Sequence, residues 1–282
     1  MEQQNLTSAK LRADAFMALH QKPGIFVIPN PWDASSAKIL ASMGFKALAT
    51  TSAGFAHSLG KPDEDNTIVR AESINNIRTI VQATSLPVSA DLGKGFGDSA
   101  EDCSRTINEA VAFGFSGGSI EDATGNTKKP IYPFELAVER IKAAVEAARH
   151  APYPFMVTAR AENLIYGRQD LNDTIKRLEA FAEAGADVLF APGLKTMKEI
   201  ETVINALAPK PINVLMGIAG SIFSLDMLEQ IGVKRVSLGS SMARAAYGAF
   251  SRAAHEILTS GTFSYANEAK SYADLNSLFS KD

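Results

Sequence analysis

Two acidic residues in this sequence stand where short apolar runs would end as β-strands. Asp91 ends the run VSAD, and Glu121 ends the run GGSIE. Because side chains two residues apart in a strand point to one face, Ser89 accompanies Asp91 and Ser119 accompanies Glu121. Carboxylate oxygens are ligands that Mg²⁺ and Mn²⁺ accept, and such a cation would keep both acids ionised. We therefore predict a Mg²⁺ (or Mn²⁺) site at Asp91 and Glu121.

Polar residues follow the same pattern in later runs. Thr158 and Arg160 alternate at the end of the run MVTAR, and Asn213 lies between apolar neighbours in the run INVL. The planar guanidinium of Arg160 could bind a carboxylate or phosphonate at two points. The alternative is a structural ion pair between Arg160 and Glu121 or Glu162.

A glycine-rich turn, Gly93-Lys-Gly-Phe-Gly97, follows Asp91 directly. Glycine permits the tight conformations that let backbone approach a ligand closely. The turn is not a dinucleotide-binding fingerprint, because it follows the third strand and no suitably placed acid could bind a ribose. We therefore do not expect NAD as a cofactor.

The elements that must position these residues alternate along the chain. After an N-terminal helix over 5–21, short apolar runs alternate with longer amphipathic ones. Eight such units, with strands near 25–29, 47–51, 87–92, 117–121, 155–160, 187–191, 211–215 and 235–238, predict an α/β fold, a (β/α)₈ TIM barrel with parallel strands. An open doubly wound sheet is the alternative. We predict one domain over 1–282, with a barrel core at about 24–258 and a C-terminal helical extension at 259–282. The segments 53–69 and 122–133 are predicted as long loops near the site.

Composition limits the partners and the compartment. The 282 residues include 28 basic and 31 acidic ones, a net charge of −3, so neither nucleic acid nor an anionic membrane is an expected partner. The single cysteine, Cys103, excludes an internal disulfide and fits a reducing compartment. The polar first residues lack a signal-peptide pattern, and no apolar run has the length of a membrane span. We expect a cytoplasmic protein that acts on a small molecule, and the apolar residues after Gly261 predict a homo-oligomer.

Several motifs, in this order and spacing, resemble the isocitrate lyase/phosphoenolpyruvate mutase superfamily across roughly residues 26–249. They are TTSAG at 50–54, SLGKPD at 58–63, AD at 90–91, GFG at 95–97, SIED at 119–122, TAR at 158–160 and GSSMAR at 239–244. The resemblance implies an α/β barrel whose last helix is swapped between subunits of a dimer-built homotetramer. It also implies Mg²⁺-dependent cleavage or formation of a C–C or P–C bond next to the keto group of a 2-oxo acid, through an enolate.

The resemblance further implies roles for residues at the matching positions. Backbone groups near position 52 would bind the substrate's carboxylate end, one acid would stand beside the reacting group, and a guanidinium would hold the second acidic group. The implied substrate-binding residues are Thr51, Ser52, Ala53, Arg160 and Asn213, the implied catalytic residues are Asp63, Arg160 and Lys128, and the implied metal ligands are Asp91 and Glu121.

Departures from the family pattern narrow the expected activity. The lyase branch carries Lys-Arg-Cys-Gly-His on the loop after strand four, whereas the loop 123–133 contains neither Cys nor His. Cys103 lies in a predicted outer helix and is expected to be a buried hydrophobe. We therefore predict against isocitrate lyase and 2-methylisocitrate lyase activity. The mutase loop, Lys-x-Asn-Ser, is matched only loosely by Asn126 and Lys128.

Two further departures concern the metal and the substrate. Ser89 stands where most members have the first Asp of an Asp-x-Asp pair, which should weaken the metal site. The segment 191–193 replaces a Glu that lyases present at the end of strand six. The first hypothesis is therefore a Mg²⁺-dependent lyase, decarboxylase or mutase acting on a small 2-oxo acid, oxaloacetate-like or phosphonopyruvate-like. The alternative is a 2-oxo acid-binding member without catalysis, and a sugar-phosphate enzyme is disfavoured because no Gly-rich phosphate loop follows strands seven and eight.

Overall fold

The computed structural model describes residues 2–63, 68–218 and 223–280, and these residues form an α/β barrel. Its strands are β1 Phe26–Ile28, β2 Leu48–Ala49, β3 Val88–Asp91, β4 Gly117–Glu121, β5 Met156–Arg160, β6 Val188–Phe190, β7 Ile212–Leu215 and β8 Arg235–Ser237. Its helices are α1 Glu2–Gln21, α2 Ala34–Ser42, α3 Ser52–Ser58, α4 Arg70–Gln82, α5 Ala100–Ala112, α6 Phe134–Arg149, α7 Leu171–Glu183, α8 Met197–Leu207, α9 Leu225–Gln230, α10 Ser241–Ser260 and α11 Tyr272–Phe279. A 3₁₀ turn covers Ser264–Asn267.

The strands pair in parallel, in the order β1-β8-β7-β6-β5-β4-β3-β2. The two ends of this order, β1 and β2, are neighbours where the barrel closes. There the backbone N–H of Ala49 donates to the carbonyl of Pro29 at 3.0 Å. Helices cross over between successive strands, as parallel pairing requires. The (β/α)₈ barrel predicted from the sequence is therefore confirmed, and the open sheet is excluded.

Helix α1 closes the N-terminal end of the barrel. Its Phe16 is fully buried against Ile28, Met156 and Val188. Burying an aromatic side chain of this size stabilises the folded state by about 1.5–3 kcal/mol, so α1 belongs to the core. The C-terminal ends of the strands face the opposite end, where barrels carry their active sites.

The segment predicted as a loop at 53–69 contains a helix. Thr51 caps the N-terminus of α3 because its Oγ1 accepts a hydrogen bond from the backbone N–H of Gly54 at 3.2 Å. Seven residues that include Ser52, Gly54 and Ser58 carry little helical periodicity, which is why the sequence pattern did not indicate a helix. Residues 64–67 lie outside the described residues.

Helix α10 follows β8 but extends away from the barrel. Of its 20 residues only Ala243 is buried, while the side chains of Phe250 and Leu258 are 73% and 85% exposed. After α10 the chain returns to the barrel. There Nζ of Lys38 on α2 donates to the carbonyl of Phe279, the last residue of α11, at 3.1 Å. The swapped last helix and the oligomer remain predictions. Among the described residues, no helix combines the length and the apolarity that a membrane crossing requires.

Candidate active site

Arg160, at the end of β5, joins three carboxylates at the C-terminal mouth of the barrel. Its Nη1 lies 3.0 Å from Oδ1 of Asp91, its Nη2 lies 3.2 Å from Oε2 of Glu121, and its Nε lies 2.8 Å from Oε1 of Glu162. The strand register brings these groups together, since Glu121 on β4 pairs directly with Arg160 on β5. The ion pairs expected as an alternative role for Arg160 are therefore present in this structure.

The electrostatics of this cluster are dominated by burial and by the excess of acids. Burial alone would lower the pKa of Arg160, but Glu162, Glu121 and Asp91 raise it well above its ordinary value. Burial raises the pKa of Glu121 to about 8, with Arg160 opposing the shift and Glu162 adding to it. Burial also raises the pKa of Glu162, against the opposing charge of Arg160. The three acids outnumber the one guanidinium, so the raised pKa values favour protonation of part of the cluster unless a further cation binds.

Asp91 is fixed from three directions. Its Oδ2 accepts the backbone N–H of Ser52 at 3.0 Å, and its own N–H donates to Oγ1 of Thr50 at 2.8 Å. Its Oδ1 accepts from Arg160. The N-terminal N–H groups of α3 therefore lie at the site, as predicted for 51–53, and one of them already binds a protein carboxylate.

A second ion pair holds the segment beyond β5. Asp122 Oδ1 accepts the backbone N–H of Glu162 at 2.8 Å, and its Oδ2 lies 3.1 Å from Nη1 of Arg177. All of these groups are buried, so losing one partner would leave an uncompensated charge. This pair fixes Glu162 beneath Arg160.

Two cavities meet at the cluster. The outer cavity, about 280 Å³, has an acidic floor made by Asp91, Glu121 and Glu162. Its wall combines the polar residues Ser73, Asn76 and Lys94 with apolar side chains that include Phe55, Ile68, Ile77, Phe96, Ile165 and Tyr166. The inner cavity, about 230 Å³, extends down the barrel axis and is lined by Asp91, Arg160, Ser89, Thr158, Asn213 and Ser237, among others. Thr51, Ser52 and Asp63 line both cavities, and Ala53 lines the inner one.

Most of the predicted site residues converge here, but Lys128 does not. Asp63 stands at the mouth, where desolvation and then the charge of Asp91 raise its pKa above the usual range. Asn213 is buried in the inner cavity. Lys128 is exposed in the loop after β4 and lines neither cavity.

The carboxylate oxygens of Asp91 and Glu121 are of the type that a divalent cation takes as ligands. Four carboxylates, those of Asp91, Glu121, Asp122 and Glu162, stand against the two guanidinium groups of Arg160 and Arg177. Hard cations such as Mg²⁺ take oxygen ligands and accept water and substrate oxygens for the remainder. In the described part of the chain, no three Asp, Glu, His or Cys side chains form a ready cluster around one metal position. The ion would therefore depend on oxygens beyond these two acids.

Cys103 is buried under the glycine-rich turn, as expected for a small hydrophobe. Gly95 has φ +79°, and a Cβ at this position would meet the Cys103 Sγ at 3.0 Å, so only glycine fits there. Burial raises the pKa of the Cys103 thiol to about 11. This thiol is therefore no proton donor for the mouth of the barrel.

Sequence patterns missed several polar groups of the inner cavity, among them Asn30, Ser237 and Arg235. Arg235, the first residue of β8, is buried inside the barrel and lines the inner cavity. It precedes Ser237 by two residues, so the alternation that revealed Ser89 and Asp91 was also present here. The adjacent Lys234 obscured it, because a basic pair before a strand is typical of a solvated end.

Comparisons with known proteins agree with this architecture. A family described as phosphoenolpyruvate phosphomutase matches residues 16–258. The 2-methylisocitrate lyase of Escherichia coli is 30% identical over 251 residues, which cover 86% of this chain and 82% of that protein. The oxaloacetate decarboxylase of Bradyrhizobium diazoefficiens is 27% identical over 253 residues, 88% of this chain and 84% of that protein.

Solved structures share the whole fold. A Burkholderia cenocepacia protein named only as a lyase or mutase superposes with a TM-score of 0.94 at 52% identity, covering 97% of both chains. A 2,3-dimethylmalate lyase superposes with a TM-score of 0.84 at 25% identity, covering 97% of this chain and 94% of its own. These similarities cover nearly the whole length of the chain.

Proposed function

This chain belongs to the phosphoenolpyruvate phosphomutase family, and from that premise we propose that it cleaves or rearranges a C–C or P–C bond next to the keto group of a small 2-oxo acid. Relatives act, by their names, on small acids that include 2-methylisocitrate and oxaloacetate. The observation that carries the proposal is the convergence of Asp91, Glu121 and Glu162 on Arg160 at the mouth. Decarboxylation or C–C cleavage of an oxaloacetate-like acid is the preferred reaction, and a phosphonopyruvate-like acid is the next choice.

Asp91 and Glu121 would hold Mg²⁺, or Mn²⁺. When bound, the ion would supply Lewis-acid stabilisation for the negative charge that develops on the 2-oxo group when the neighbouring bond breaks. Arg160 contributes a second positive charge on the same side, and its contact with Glu162 keeps it aligned. The raised pKa of Glu121 supports a site that gains from a further cation.

Asp63 is the proposed proton donor. When a carboxylate leaves oxaloacetate as CO₂, its bonding electrons remain on carbon 3 as an enolate, and that carbon must then gain one proton to give pyruvate. Desolvation and the nearby charge of Asp91 favour the protonated form of Asp63. The apolar side chains in the wall, including Phe55, Phe96 and Ile165, would reduce access of water to the enolate.

The loop after β4 argues against a 2-methylisocitrate substrate. Residues 123–133 contain no Cys or His, and the buried thiol of Cys103 has a pKa raised to about 11. No residue of this loop can therefore carry out the thiol chemistry that is implied for the lyase branch. 2-Methylisocitrate should not be turned over, although the Escherichia coli relative bears the name of its lyase.

Turnover assays test the proposal. Purified protein is assayed with oxaloacetate, phosphonopyruvate and 2-methylisocitrate, with Mg²⁺ and with a chelator. Asp91→Asn should lower kcat/KM by at least about 100-fold, as expected when an electrostatic contact to the transition state is lost. Asp14→Asn, which removes a surface pair with Lys10, is the matched control and should retain activity. Full activity of Asp91→Asn would contradict the mechanism, and tight binding without turnover would favour the non-catalytic alternative.

A further inference from the structure

Arg235 is a buried cation without an anionic partner. Its Nε donates to Oδ1 of Asn213 at 2.8 Å, its Nη2 donates to Oγ1 of Thr158 at 3.0 Å, and its Nη1 lies 3.4 Å from Nε2 of His20. No carboxylate of the described residues forms an ion pair with it. Burial lowers the pKa of Arg235 to about 9, which leaves the guanidinium charged at neutral pH. A buried charge without a counter-charge is costly, even when neutral groups accept its hydrogen bonds.

The third partner, His20, does not supply a charge. Its Nδ1 lies 2.9 Å from the carbonyl of Phe16, and because a carbonyl only accepts, Nδ1 carries the proton. The Nε2 atom is then an acceptor for Arg235. Burial, followed by the charge of Arg235, lowers the pKa of His20 to about 3, so the ring is neutral. All of the partners of Arg235 are therefore neutral acceptors.

Arg235 fixes the orientation of the Asn213 amide. A guanidinium can only donate, so Asn213 must turn its oxygen toward Arg235 and its NH₂ group the other way. The Nδ2 atom then donates to Oγ of Ser237 at 2.9 Å. Because Ser237 accepts from Asn213, its own proton must point elsewhere.

The same reasoning applies to Thr158. Its Oγ1 accepts from Arg235, so its proton is also directed away from the guanidinium. Both hydroxyl groups line the inner cavity, where no protein acceptor is recorded for either proton among the described residues. Arg235 thus turns two hydroxyl groups into donors that face the cavity.

We propose that Arg235 is a positioning residue that makes the inner cavity a binding site for an anionic group of the substrate, with the hydroxyls of Ser237 and Thr158 as the donors. The proposal rests on the proposed function, and it concerns where the second anionic group of such a substrate binds. One group would lie at the mouth of the barrel. The other would enter the inner cavity, where the charge of Arg235 lies behind the donors.

This arrangement differs from the role that the family resemblance implies for Arg160. The guanidinium nitrogens of Arg160 already contact Asp91, Glu121 and Glu162. Arg235, in contrast, contacts only neutral groups, so its positive charge is not cancelled before the substrate arrives. An acid with a single carboxylate would leave the inner donors without an acceptor, and unpaired buried donors weaken binding.

Binding measurements compare a diacid with a monoacid. Calorimetry in the presence of a chelator, which prevents the proposed turnover, gives the dissociation constants of oxaloacetate and of pyruvate for the wild type and five variants. Wild type should bind oxaloacetate at least about 10-fold more tightly than pyruvate, and Arg235→Met, Ser237→Ala and Thr158→Val should each reduce that ratio, with Arg235→Met bringing it close to one. Arg235→Lys, which keeps the charge but not the planar fork, should restore part of it.

Ser42→Ala removes an exposed hydroxyl on α2 and is the control that should keep the wild-type ratio. If Arg235→Met does not fold, Ser237→Ala and Thr158→Val decide, since each removes only one hydroxyl. An unchanged ratio in both, even with a lowered Tm, would mean a purely structural network and would overturn the proposal. Loss of the ratio in a protein without turnover would leave this inference standing while the proposed reaction failed.

Discussion

Arg160 on β5 lies 3.0 Å from the Oδ1 atom of Asp91 on β3, across the intervening strand β4. The strand register makes this contact possible, because Asp91 pairs with Ser119 and Glu121 pairs with Arg160. Its consequence is that the guanidinium shares the same carboxylates that would hold a metal ion. Positive charge at this mouth is therefore divided between the protein and a bound cation.

Replacing Arg160 tests how much of the site depends on its fork. Arg160→Lys keeps one positive charge but cannot contact Asp91, Glu121 and Glu162 together, since an ammonium is a point charge. We expect kcat/KM for the best 2-oxo acid to fall by at least about 100-fold. Arg105→Lys, at an exposed pair on α5, should remain within about 2-fold of wild type. A decrease of similar size in both variants would contradict the assignment.

Metal removal should abolish turnover and lower the melting temperature. A ligand that binds only the folded state stabilises it by about 2.7 kcal/mol at 100 times its Kd, so added Mg²⁺ should raise Tm after chelation. Glu121→Gln should lose this rise, whereas Glu109→Gln, at an outer pair with Arg70, should keep it. Differential scanning fluorimetry with a Mg²⁺ titration measures both. If neither the activity nor the Tm of the wild type changes with Mg²⁺, the proposed ion is ruled out.

Acid should destabilise the protein through His20. Its pKa is about 3 in the folded state and near 6.5 when unfolded, so between these values only the unfolded chain binds the proton. Stability must therefore fall as pH drops below 6.5, by about 1.4 kcal/mol from this residue at pH 5.5. Urea unfolding at pH 7.5 and 5.5 should show a correspondingly smaller loss for His20→Gln. His150→Gln, at an exposed ring, should keep the wild-type loss, and equal losses in all three proteins would refute the account.

The exposed face of α10 predicts assembly with further copies of this chain. Phe250 and Leu258 are 73% and 85% exposed, and burying each would contribute about 1.5–3 kcal/mol. Light scattering after size exclusion should give a multiple of the 30.1 kDa chain mass. The double change Phe250→Ser and Leu258→Ser should shift the protein to smaller species. Leu11→Ser, on α1, should not, and a wild type that stays monomeric at micromolar concentration would contradict the expectation.

Local patterns were sufficient to predict the barrel and its charged mouth. The alternation of short apolar runs with amphipathic ones predicts strands and helices. The C-terminal ends of parallel strands in a barrel lie on the same rim. The two-residue period then put Asp91, Glu121 and Arg160 on inward faces before any contact was known. The sequence did not predict helix α3, because a seven-residue helix with one capping residue, Thr51, has too little periodicity to be distinguished from a loop.

Spacing within single segments is enough to predict which chemical groups stand at the ends of the strands. Tertiary structure decided which partners those groups have: Arg160 contacts three acids, while Lys128 stays in solvent. It also decided that Arg235 is buried, since only the pairing of β8 with β7 and β1 turns its side chain into the barrel. Contacts between distant segments depend on register and closure, and no local spacing encodes them.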